Sequence, residues 1–102
     1  GPAFAAGGTI ESLNIGKGTN SVAGNTVLGE DALDASVTGG NNTAIGKNSL
    51  TALTSGVNNT AVGGASLQAN TSASHNAALG YFALGSNTTG TQNTSVGKHN
   101  RR

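Results

Sequence analysis

The pentapeptide Asn42-Thr43-Ala44-Ile45-Gly46 returns seventeen residues later as Asn59-Thr60-Ala61-Val62-Gly63, and that return decides the fold. Asn25, Asn42, Asn59, Asn76 and Asn93 form one column at this spacing, and Gly29, Gly46, Gly63, Gly80 and Gly97 form another. A large aliphatic residue always precedes the glycine: Leu28, Ile45, Val62, Leu79 and Val96. Leu33, Leu50, Leu67 and Leu84 keep the same period. Thr26, Thr43, Thr60 and Thr94 follow the asparagine, with Ala77 breaking the run. Between threonine and aliphatic stands a small residue (Ala44, Ala61, Ala78 or Ser95), except at Val27. Self-similarity at a short fixed period is the mark of a stacked repeat array.

Seventeen residues cannot hold a pair of packed helices, which need about 33 or more. Glycine and asparagine at frequent fixed offsets also oppose helix, where each glycine costs about 1 kcal/mol relative to alanine. Short Thr/Val/Ile segments bounded by Gly and Asn read as strands and turns. The expected fold is therefore all-β, a parallel β-roll (β-solenoid) of 17-residue coils. Each coil is expected to supply two strands, around 25–29 and 32–36 in the first. Alternation along the first strand puts threonine and the aliphatic on one face and the small residue on the other. Gly29, Gly46, Gly63, Gly80 and Gly97 are the expected turn positions, and the asparagines suit turns and stacked amide ladders.

Outside the period, Ile15-Gly16 matches the aliphatic-glycine pair but lies 13 residues before Gly29, which predicts a shorter or atypical first coil, as terminal repeats often are. The organisation expected is a lead-in over 1–11, a repeat domain over 12–99 and a short tail over 100–102. Gly1-Pro2 reads as the remnant left by a tag-removing protease.

Gly, Ala, Asn, Thr and Ser make up 68 of the 102 residues, and Leu, Ile, Val and Phe only 19. So low an apolar content signals disorder when net charge is high, but here the formal charge is +1. A chain this poor in apolar side chains gains from burying an aliphatic face against copies of itself. The columns Leu28/Ile45/Val62/Leu79/Val96 and Leu33/Leu50/Leu67/Leu84 are the candidate intra-chain and inter-chain cores. Their spacing does not say which faces which.

Several chemistries find no support. There is no cysteine, and the two histidines, His75 and His99, lie far apart with no neighbouring ligand cluster, so neither a metal nor a cofactor is expected. Scattered lysines and three aromatic residues give no platform for nucleic acid. No apolar run reaches membrane-spanning length. Glu30-Asp31 and Asp34 are the only clustered carboxylates, and their positions are held by Lys47-Asn48 and Gly64-Ala65 in later coils, so they read as a solvated turn. Asn41–Lys47 has the outline of a phosphate loop but lacks its first glycine and the Ser/Thr after lysine. His75 replaces an amide at a turn. No catalytic constellation is expected. Five Asn-x-Ser/Thr sequons begin at Asn41, Asn58, Asn70, Asn87 and Asn93, a by-product of the repeat.

The segments Asn42-Thr-Ala-Ile-Gly46, Asn59-Thr-Ala-Val-Gly63 and Ala78-Leu-Gly-Tyr-Phe-Ala-Leu84 followed by Asn87-Thr-Thr-Gly90 resemble the head repeats of YadA-like trimeric autotransporter adhesins. They resemble more closely the 17-residue variants of that motif in phage tail fibres and bacterial surface proteins. The likeness covers about residues 12–99. It implies a left-handed parallel β-roll, three chains side by side in one homotrimeric fibre, exposed on a bacterial surface or a virion tail fibre. The adhesin heads have coils of about fourteen residues, so longer outer turns are expected here.

From this follows the expected function: a non-enzymatic attachment segment that binds a host-surface protein or glycan through many weak contacts summed by avidity. The variable outer turns are the candidate contacts, foremost Tyr81, Phe82, Lys47 and Asn48. The alternatives are a purely structural shaft and, on the strength of the threonine column, an ice-binding solenoid.

Overall fold

A computed structural model describes residues 9–98. Residues 1–8 of the expected lead-in over 1–11, the tail over 100–102 and His99 lie outside the described residues. Within them the chain is all-β, with a single 3-10 turn at Thr19–Ser21. Seven short strands form one sheet in chain order: β1 (Thr9–Ile10), β2 (Leu13–Gly16), β3 (Thr26–Gly29), β4 (Thr43–Ile45), β5 (Thr60–Val62), β6 (Ala77–Leu79) and β7 (Thr94–Val96). Strands β3 to β7 are parallel and pair at a constant offset, Thr26 with Thr43, Thr43 with Thr60, Thr60 with Ala77 and Ala77 with Thr94. The result is a β-solenoid of about four turns, each one sequence repeat long.

The inner face of the sheet carries the small-residue column. Val27, Ala44, Ala61 and Ala78 are buried there together with Leu33, Leu50, Leu67 and Leu84 in one apolar cluster. Small side chains on the sheet leave room for the leucines of the opposite wall, so the coil stays thin. The aliphatic column goes the other way. Leu28, Leu79 and Val96 are exposed and Ile45 and Val62 only half-buried, so these five residues are not part of this chain's core. Strand alternation forces that outcome once the small residues point inward.

The second strand expected around 32–36 does not form; each coil contributes one strand, and the opposite wall is built of turns. The cause is backbone handedness. Leu33, Leu50, Leu67 and Leu84 all sit at φ between 47° and 51°. Left-handed conformation breaks a strand and is strained for a residue with a β-carbon. The leucines tolerate it because their side chains are buried and their amides bond across coils, Leu33 N to Ser49 O at 3.1 Å and Leu50 N to Ser66 O at 3.1 Å.

Of the two possibilities for Ile15-Gly16, a shortened parallel coil does not form, and the terminal element is atypical instead. Strand β2 runs antiparallel to β3, setting Ile15 opposite Leu28, and β1 pairs antiparallel with β2. Glu11 and Ser12 join β1 to β2 with φ of 50° and 69°, the two left-handed central residues of a tight type I′ hairpin. An antiparallel hairpin thus covers the first edge of the parallel stack.

An amide ladder runs through the interior. Asn25, Asn42, Asn59 and Asn76 are all buried. Each side-chain oxygen accepts the backbone N–H of the next asparagine in the column, at 2.8 Å for Asn25–Asn42, 2.9 Å for Asn42–Asn59 and 3.0 Å for Asn59–Asn76. The Nδ2 groups of Asn42, Asn59 and Asn76 donate to the carbonyls of Gly56, Ala73 and Gly90. The described residues leave no buried side-chain polar atom unsatisfied. At the opposite end of the strands the backbones approach closely: a β-carbon on Gly63, whose φ is 129°, would lie 2.6 Å from the carbonyl oxygen of Gly80. Only glycine fits that contact.

Candidate functional site

Two surfaces carry the residues that sequence reasoning singled out. The first is a ridge of outer turns, where Glu30, Lys47, Gly64, Tyr81 and Lys98 succeed one another coil by coil. Cross-coil bonds fix it, Asn48 N to Glu30 O at 2.9 Å, Ala65 N to Lys47 O at 2.8 Å and Phe82 N to Gly64 O at 2.8 Å. Side-chain chemistry changes at every step along this constant backbone. Lys47 Nζ lies 3.9 Å from Glu30 Oε1, with both side chains largely in solvent. A pair so exposed adds little stability.

Tyr81 is 56% exposed and leans toward the preceding coil, where a β-carbon on Gly64 would lie 3.3 Å from its ring. Gly64 is therefore the space into which the ring settles. Lys98 Nζ stands 5.9 Å from the Tyr81 ring centroid, within cation–π range. The Phe82 ring centroid is 6.4 Å from that of Tyr81. The four candidate contacts do not share one environment. Lys47 and Tyr81 face solvent, whereas Asn48 and Phe82 are half-buried at left-handed positions, with φ of 63° and 56°. Phe82 lies against Gly85, where a β-carbon would come within 2.6 Å of its ring. Phe82 shapes the turn rather than presenting an open aromatic face.

The second surface is the outer face of the sheet. It bears two parallel ranks, one of Thr26, Thr43, Thr60, Ala77 and Thr94 and one of the displaced aliphatics. Where Ala77 interrupts the threonines, a shallow depression of about 300 Å³ opens between Thr60, Val62, Leu79, Thr94 and Val96. Sequence alternation grouped these residues on one face but did not predict the depression; the lone Ala77 in a threonine column was its only signal.

The remaining candidates stay apart. Glu30, Asp31 and Asp34 are all exposed. His75 is exposed at φ 63°, the conformation of Asn58 one coil earlier at φ 60°, so it stands in for an amide at a turn. Among the described residues no three His, Cys, Asp or Glu side chains gather where a metal ion would be held. No helix there is long and apolar enough to cross a membrane. No family model, no curated protein and no solved structure matches the chain.

Proposed function

We propose that the chain is a non-enzymatic fibre segment that attaches to a host surface, as part of a bacterial adhesin head or a phage tail fibre. The observation that carries this reading is the outer-turn ridge. A hydrogen-bonded scaffold holds constant spacing while its outer positions change from acid to base to glycine to tyrosine. A surface of that kind displays chemistry without organising catalysis. Single contacts on it are weak, and repetition along a stiff fibre sums them. A host-surface protein or glycan is the partner that fits.

The assembly proposed with it is a homotrimer of left-handed rolls. Its support is the outward rank of Leu28, Ile45, Val62, Leu79 and Val96, an apolar stripe that a soluble single chain gains nothing by exposing. Lys47→Ala combined with Tyr81→Ala is expected to abolish adhesion to host cells while the circular dichroism spectrum stays unchanged. Adhesion at the original level would leave the segment as a shaft that only sets reach. Deleting one 17-residue coil would then shorten the fibre without other loss.

One observation favours a second reading. Thr26, Thr60 and Thr94 are exposed and Thr43 is half-exposed, in register beside the aliphatic rank on a single sheet face. A regular array of hydroxyls and methyls is the surface an ice-binding solenoid needs. It uses the same face as the trimer, so the two readings exclude each other. Thermal hysteresis of a monomeric chain would select the second.

A further inference from the structure

We infer that Asn41 and Asn58 are acceptor sites for N-linked glycosylation of the folded chain before a second copy covers its threonine face. The Asn-x-Ser/Thr pattern occurs five times, and by sequence alone the five are equal. The fold makes them unequal. Asn70 is fully buried, donates from Nδ2 to the Ala73 carbonyl at 3.1 Å and accepts from Asn87 at 3.1 Å. Asn87 uses its Nδ2 on both Asn70 and the Gly90 carbonyl, the latter at 2.9 Å. Asn93 belongs to the amide ladder, its N–H bonded to Asn76 Oδ1 at 2.9 Å, and the hydroxyl residue of its sequon, Ser95, is buried. A transferase needs both a free amide and an accessible hydroxyl two residues on, and these three sequons fail on one count or the other.

Asn58 meets both conditions in full, and Asn41 meets them with Thr43 half-exposed. They are exposed on one ridge of left-handed turn residues, with φ of 62° and 60°, and their side chains make no hydrogen bond to the described residues. Alternation of the chain explains the arrangement. The middle residues Asn42 and Asn59 point inward and are locked in the ladder. That leaves Asn41 outside with Thr43 half-exposed beside it, and Asn58 outside with Thr60. In the transfer, Nδ2 attacks the anomeric carbon of a sugar activated by a phosphate ester. The Nδ2–C1 bond forms as the C1–O bond to phosphate breaks, the nucleoside diphosphate leaves, and the amide proton passes to a base of the transferase.

The test incubates the folded, dissociated chain, its threonine face open, with a soluble N-glycosyltransferase and a nucleotide-activated hexose, followed by intact mass measurement and peptide mapping. Hexose is expected on Asn41 and Asn58 only. Asn41→Gln and Asn58→Gln should each retain the sugar on the remaining site, and the double variant should carry none. Glutamine is tolerated at this turn, since Gln92 holds the same column at φ 59°, and an unchanged circular dichroism spectrum checks that the variants fold. A folded chain that stays unmodified, or whose sugar maps to Asn70, Asn87 or Asn93, would overturn the assignment.

Discussion

Two columns of large aliphatic side chains run the length of the solenoid at the same period, and they meet opposite fates. Leu33, Leu50 and Leu67 are wholly inside the coil, while Leu28 is 43% exposed, Leu79 51% and Val96 66%. Hydrophobicity does not separate them, since both columns hold leucine. Their neighbours do. The exposed column lies on strands whose inward positions are taken by Val27, Ala44, Ala61 and Ala78, and a pleated strand cannot turn adjacent residues to the same side. The buried column lies on the turn wall, where left-handed backbone points each leucine at those small residues. The inner column holds one chain together, and the outer one is left on its surface.

That contrast can be broken at three strengths. The largest effect is expected from Asn59→Ala, which leaves the buried Asn76 N–H without its acceptor and removes the Nδ2 bonds to Asn42 and Ala73. Together these losses come to on the order of 4 kcal/mol, read as a lower denaturant midpoint. Leu50→Ala follows, at about 3 kcal/mol for a cavity in the closed core. Leu79→Ala, the same chemical change on the outer column, should alter the stability of the dissociated chain by no more than about 0.5 kcal/mol. Equal losses for the two leucine variants in the monomer would erase the distinction between the columns.

Much of this architecture is legible in the sequence, because a strict period states the stacking register directly. Asn42 to Asn59 to Asn76 is at once the repeat and the hydrogen-bond ladder. The pairing of threonine with the aliphatic on one face also follows from alternation. What the letters do not carry is which face turns inward: Ala44 and Ile45 each suit an interior, and the choice depends on how closely the opposite wall approaches. The left-handed leucines were hidden for a related reason. Leu50 at φ 51° contradicts its own local preference and is held there by burial and a cross-coil bond, which only the assembled stack provides. The opening hairpin gave no signal either, since Glu11-Ser12 lacks the Asn-Gly chemistry usual at such turns. Ile15-Gly16 then imitated the repeat in antiparallel form. At the outer ridge, the pairs at 47–48 and 81–82 read as two exposed residues each, but the turn geometry exposes the first and tucks in the second.

The most direct test of the account is the molar mass of the chain in solution, by sedimentation equilibrium, for the wild type and for Leu79→Lys. A trimer joined through the outer column is expected to give a β-rich wild-type particle at three times the 9.8 kDa chain mass and a folded monomer for the variant. A wild-type chain that is folded and monomeric would contradict it, and would leave the threonine and aliphatic ranks as a surface for ice rather than for a second copy.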